Sequence, residues 1–244
     1  MTQETTAALV VIGNEILSGK IADGNSHFLA QQLRGAGVTL ARIVVVPDEI
    51  EVIAEAVRTL APRVDVLFTS GGVGPTHDDV TIAGVAQGLG RGVIRHPALE
   101  KMLRDYFGDR LNASHLKLAD TVEGTELDYA GNVSFPTFRV ENIYILPGIP
   151  EIFREKVLAL RDRFAGDPFH LRVVYTRELE SAIAAFLDET LARFPALLLG
   201  SYPKLNDPEY RVRITLESKD RGYVERALAA LLAMLPPEAV VRTE

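Results

Sequence analysis

The chain has 244 residues, a formal net charge of −7 and no cysteine. Its length suits one large domain, or an ordinary domain plus a small one, with enough apolar residues for a core. The acidic balance argues against nucleic-acid binding, which needs a basic stripe, and without cysteine there are no disulfides, thiolate metal sites or thiol nucleophile.

The start, Met1 to Thr6, is polar rather than basic and then apolar, so it does not read as a signal peptide. No apolar run approaches the roughly 20 residues that span a bilayer. A cytoplasmic protein with no membrane partner is expected.

In chain order, Ala7 to Ile12 reads as a buried strand and Asn25 to Arg34 as a helix, with Phe28, Leu29 and Leu33 on one face and Gly35 and Gly37 as stops. Leu40 to Val46 is a strand, Glu49 to Leu60 a helix, and Val64 to Phe68 a third strand. A helical pattern begins near Val80 and another covers Pro97 to Phe107. Asn112 to Phe138 is irregular, with loops and short strands. Asn142 to Leu146 is a strand, and Pro150 opens a helix that ends near Phe164, the first turn being where its missing N–H costs nothing. Alternating strands and helices, with strands apolar on both faces, imply an α/β fold with a three-layer, mostly parallel sheet.

Ala165 to Pro168 reads as a linker, dividing the chain into domains 1–165 and 166–244. Beyond it come a strand (Leu171 to Tyr175), a helix (Ser181 to Phe194), two strands (Ala196 to Leu199, Tyr210 to Glu217), a helix (Tyr223 to Leu235) and a last strand near Ala239 to Arg242. The order β-α-β-β-α-β predicts a small α+β, ferredoxin-like domain.

The segment Thr69 to Thr81 carries the chemistry. Gly71, Gly72 and Gly74 let the backbone approach a ligand closely, and a phosphate can lie on loop amides that precede a helix. The adjacent carboxylates of Asp78 and Asp79 could cap that helix or hold a divalent cation beside a phosphate. The position beyond a strand's carboxyl end favours the second use. Asp48 follows one neighbouring strand, Asn14 and Glu15 another, and all three could join the same rim. Gly13 to Lys20 is not a P-loop: one residue too many separates its glycines, and Ile21 follows the lysine. His77 is expected to face solvent, and the histidines lack zinc-ligand spacing. Lys20, Arg91 and Arg95 could neutralise phosphate but read as surface charge.

These residues resemble the molybdopterin-binding-like (MoaB/MogA-type) superfamily, and within it the N-terminal domain of competence/damage-inducible protein A. The matching blocks are Gly13 to Gly19, Asn25, Val46-Pro47-Asp48, Gly71 to Thr81 and Leu146 to Glu151. In the second half, Phe135-Pro136, Asn142 to Glu151, Tyr175 to Leu179, Gly200 to Pro203 and Tyr210 to Leu216 resemble the corresponding module of eukaryotic FAD synthase. One departure is Asp128 to Phe138, which differs from the family's Asn-Pro-x-Gly-x-Ala-Pro-Gly-Phe segment, so the ligand wall built there is expected to differ. Neither the amidohydrolase half of the competence proteins nor the synthase half of FAD synthase follows, so deamidation and FAD synthesis are not expected.

The resemblance implies a metal-dependent hydrolase that cleaves the diphosphate of FAD or ADP-ribose. Asp78 and Asp79 would hold Mg²⁺, Mn²⁺ or Co²⁺, with Asp48 or Glu15 completing the shell or orienting water. Gly13, Asn14, Asn25, Gly71, Gly72, Gly74, Pro75, Thr76 and Gly148 would bind substrate. A pterin-binding protein of cofactor biosynthesis and a non-catalytic nucleotide sensor use the same motifs and stay open as alternatives. The expected partners are a small-molecule nucleotide or pterin ligand and further copies of the chain in a homo-oligomer.

Overall fold

The computed structural model describes residues 4–131 and 135–244. Met1 to Gln3 of the polar start, and Asn132 to Ser134 of the divergent segment, lie outside the described residues. The chain forms two compact units, Met1–Gly166 and Asp167–Glu244.

The first unit runs β1 (Thr6–Ile12), α1 (Asn14–Leu17), α2 (Gly24–Gly35), β2 (Thr39–Val46), α3 (Ile50–Leu60), β3 (Val66–Ser70), α4 (Thr81–Leu89), β4 (Val93–Arg95), α5 (Pro97–Phe107), α6 (Ala113–Lys117), β5 (Asp120–Val122), β6 (Glu126–Asp128), β7 (Thr137–Val140), β8 (Ile143–Leu146) and α7 (Pro150–Leu160). Its main sheet has the order β2-β1-β3-β8-β7-β6. The first four strands are parallel, and β7 and β6 add antiparallel at the edge. The fold is therefore the mixed, mostly parallel α/β sheet that the strand–helix alternation predicts.

Strand β1 shows why the sheet sits between two layers. Side chains alternate across a strand, and both sets here are apolar. Ala8, Val10 and Ile12 enter a core with Ile53, Val57 and Val85, while Ala7, Leu9 and Val11 enter another with Leu29, Leu33, Phe153 and Val157. Helices α3 and α4 thus cover one face, and α2 and α7 the other.

The α3–α4 contact depends on two glycines one turn apart. A Cβ on Gly84 would meet Ile53 Cγ2 at 2.5 Å, and one on Gly88 would meet Val57 Cβ at 2.8 Å. Asp23 caps α2 by accepting from the Ser26 N–H at 2.9 Å. Proline opens both α5 and α7.

Strand β3 extends two residues beyond its apolar run. Thr69 and Ser70 are buried, and Ser70 Oγ accepts a hydrogen bond from Asn25 Nδ2 at 3.2 Å. That bond satisfies a hydroxyl the core would otherwise strand.

The second unit runs β9 (His170–Thr176), α8 (Glu180–Arg193), β10 (Leu198–Pro203), β11 (Val212–Ser218), α9 (Arg221–Met234) and β12 (Val240–Thr243). Its antiparallel sheet has the order β10-β11-β9-β12, the arrangement of a ferredoxin-like split βαβ. Val174, Ile214 and Leu216 on the sheet pack with Ile183, Leu187, Val224 and Leu231 on the two helices.

Candidate functional site

From β1 the chain passes through α2 to β2 on one side, then returns through α3 to β3 on the other. The strand order reverses between β1 and β3, and ligands of open α/β sheets bind beyond the strand ends at such a point. The loops after β1, β3 and β8 converge there.

The loop after β3 is shaped by its glycines. Gly71 and Gly72 have φ of 104° and 63°, which side-chain-bearing residues rarely adopt. A Cβ on Gly71 would lie 2.2 Å from the Ile12 carbonyl oxygen, and one on Gly148 would lie 3.2 Å from Gly71 Cα. The three loops therefore touch backbone to backbone. Thr81 at the start of α4 fastens this loop: its hydroxyl donates to the Gly71 carbonyl at 2.8 Å, and its N–H donates to Gly72 at 3.0 Å.

Several loop amides are already committed. The Gly13 N–H donates to Val46, the Gly71 N–H to Leu146, and the Thr76 N–H to Asp79 Oδ2 at 2.8 Å. The amides of Gly72, Val73 and Gly74 have no partner among the described residues. This narrower set, rather than the whole Gly71 to Thr76 run, is open to an anion.

A cavity of about 690 Å³ opens over these loops, a size typical of small-molecule sites. It brings together Glu15, Asn25, Gly71, Gly72, Gly74, Pro75, Asp79 and Gly148 of the sequence-predicted set. Its walls are largely apolar, with Ile16, Ile21, Phe138, Ile149 and Ile152 among them. Gly13, Asn14, Asp48, Thr76 and Asp78 do not figure among its described lining residues. Asp48 accepts from the Asn14 N–H at 2.8 Å, tying the loop after β2 to that after β1. Thr76 donates through both its amide and its hydroxyl to Asp79 and so orients that carboxylate.

Asp78 points outward, with 61% of its side chain exposed, and His77 beside it is 98% exposed. The Thr76 hydroxyl, then its own backbone amide, and then His77 and Lys117 hold the Asp78 carboxyl below the usual carboxylate range. The Thr76 hydroxyl proton itself is donated to Asp79.

Asn25 is fixed from two sides. Its Nδ2 donates to Ser70 Oγ and to the Gly148 carbonyl at 2.9 Å. Because the carbonyl can only accept, the amide orientation is determined. Asn25 Oδ1 is then a buried acceptor without a partner, on a residue that lines the cavity. Such an atom suits a ligand N–H or O–H.

Two charged lining residues escaped the sequence reading. Asp23 is engaged with Ser26 as a helix cap. Lys156 is only 4% exposed, and burial lowers its pKa to about 8, against smaller upward pulls from Glu155 and Asp128. A signal for it existed: Phe153, Lys156, Val157 and Leu160 occupy the core-facing stripe of α7, a spacing that places the lysine inward.

No group of three or more His, Asp or Glu placed to hold a metal occurs among the described residues. Glu15 and Asp79 supply two carboxylates to one cavity. That donor set fits a magnesium-like ion, which takes one or two carboxylates and completes its shell with phosphate oxygens and water. No helix among the described residues is long and apolar enough to cross a membrane.

Fold and cavity together define an open α/β domain with a small-molecule site at its topological switch point. The chain belongs to the family described as "probable molybdopterin binding domain", which matches residues 8–161. Residues 168–244 match "FAD synthase, middle domain". The chain is 30% identical over 220 residues to a protein of Archaeoglobus fulgidus, covering 90% of this chain and 93% of that one. It is 34% identical to a CinA-like protein of Frankia casuarinae, over 97% of this chain and 58% of the relative. It is 32% identical to a probable FAD synthase of Caenorhabditis briggsae, over 96% of this chain and 50% of the relative. The chain thus spans little more than half the length of those two relatives. Among solved structures, that of CinA from Thermoplasma acidophilum, a protein described as of unknown function, aligns with a TM-score of 0.60 and 27% identity over 66% of this chain and 98% of that one.

Proposed function

We propose that the cavity binds a dinucleotide-type diphosphate and hydrolyses it with the aid of Mg²⁺, Mn²⁺ or Co²⁺, with FAD and ADP-ribose as substrates. The carrying observation is that two carboxylates, Glu15 and Asp79, and the uncommitted amides of Gly72 to Gly74 border one apolar-walled cavity. Anion donors and cation ligands then line the same cavity, as a metal–diphosphate complex requires, while the apolar walls offer a surface for a flat ring. A divalent cation, when bound, offsets phosphate charge and makes water easier to deprotonate.

The chain's own residues do the rest. The Gly72, Val73 and Gly74 amides hold phosphoryl oxygens and favour the charge that builds on them. Thr76 keeps Asp79 aimed into the cavity, while Asp78 stays outside it, adding negative charge to the loop without lining the site. Asp48 holds the loop that carries Glu15. Glu15 orients the attacking water, whose oxygen bonds to one phosphorus as the bridging P–O bond breaks. The bridging oxygen leaves with the second phosphate, and the proton passes to solvent. FAD yields AMP and FMN; ADP-ribose yields AMP and ribose 5-phosphate.

A second reading, binding of molybdopterin or its adenylate, draws on the family match and on Asn25 Oδ1, an acceptor that suits a pterin N–H as well as an adenine or flavin one. Incubation with FAD, ADP-ribose, NAD, or molybdopterin plus ATP, with and without each metal, followed by chromatography, separates the readings. AMP formed only with metal, and lost in Asp79→Ala, supports hydrolysis. Tight binding without turnover indicates a sensor, and consumption of molybdopterin with ATP alone indicates the cofactor-biosynthesis reading.

A further inference from the structure

Lys156 is a buried cation that the proposed hydrolysis does not use. Its Nζ donates to the Phe135 carbonyl at 2.6 Å and to the Thr137 hydroxyl at 3.3 Å. Neither acceptor carries charge, and an ammonium has a third N–H to place. Among the described residues no carboxylate pairs with it. Glu155 and then Asp128 act on it from a distance without pairing, and Asp128 is held by Arg163. Burying an ammonium without a counter-ion is costly, and a methionine would fill the same space in the core-facing stripe of α7. The lysine also lines the cavity, where Glu15 and Asp79 would repel a phosphate-bearing ligand unless positive charge offset them.

We propose that Lys156 is an anion anchor of this cavity, its third N–H taking a phosphoryl oxygen of the bound ligand. The uncommitted amides of the loop after β3 would hold other oxygens of the same group. This rests on the reading of the ligand as phosphate-bearing but requires only binding, not hydrolysis.

Titration calorimetry on the full chain tests it, with inorganic pyrophosphate and ADP-ribose as probes and adenosine as the uncharged control, all in Mg²⁺. Lys156→Gln is expected to weaken both anionic probes roughly 10- to 100-fold, the range of a charge-assisted hydrogen bond, and to leave any adenosine binding unchanged. Unaltered pyrophosphate affinity, an equal loss for adenosine, or no pyrophosphate binding by the native chain overturns the proposal. Should the variant fail to fold, the native chain decides: pyrophosphate must protect Lys156 from amine acylation, read by mass spectrometry, and equal labelling with and without it counts against the anchor. Lys156-dependent binding with no turnover of any substrate would leave the anchor standing and sink the hydrolytic reading alone.

Discussion

At Lys156 the cost of burial can be read from pH. Its folded pKa of about 8 lies below the ordinary 10.5, so between those values the folded chain holds fewer protons than the unfolded one. Stability from this group therefore rises with pH across that window. Below pH 8 the charged lysine costs on the order of 3 kcal/mol, and that cost fades towards pH 10.5. Urea denaturation of native chain and Lys156→Met should show the variant's relative advantage shrinking from pH 7 to pH 10; a difference constant with pH contradicts the burial. Gly71 sets the opposite kind of constraint. With φ at 104° and the Ile12 carbonyl 2.2 Å from any added Cβ, Gly71→Ala should cost about 3 kcal/mol by strain and overpacking, seen as a lower urea midpoint.

At the scale of elements, α4 sets helix propensity against packing. Alanine at an exposed helical glycine stabilises by about 1 kcal/mol. Gly84 faces Ile53 instead, so Gly84→Ala should destabilise by about 1–3 kcal/mol, and Ile53→Ala should recover part of that loss in the double variant. Equal or greater stability of Gly84→Ala would contradict the close α3–α4 approach. Most elements were legible because apolar periodicity fixes which face is buried: Pro97–Phe107 is found as expected, and β1 is read to within one residue. The loops gave less. Asp48 and Asp79 both follow strand ends, yet one ties two loops together while the other lines the cavity. Side-chain direction in a turn depends on hydrogen bonds that spacing does not encode. The end of β3 was hidden because Thr69 and Ser70 are polar, and the buried Ser70 hydroxyl is satisfied by Asn25, distant in sequence.

For the whole molecule, each unit holds its own apolar core, and every described residue lining the cavity belongs to the first. The segment 1–166 alone should therefore bind pyrophosphate with the affinity of the full chain; lost binding by a folded fragment would assign the second unit a part in the site. The proposed hydrolysis requires that this cavity catalyse attack of water on a diphosphate. Its most direct test is turnover of FAD with Mg²⁺, Mn²⁺ or Co²⁺ in ¹⁸O-enriched water, with products weighed by mass spectrometry. AMP and FMN are expected in equal amounts, with one solvent oxygen in one of the pair and no products from Asp79→Ala. Intact FAD with every metal, or equal rates in Asp79→Ala, would contradict it.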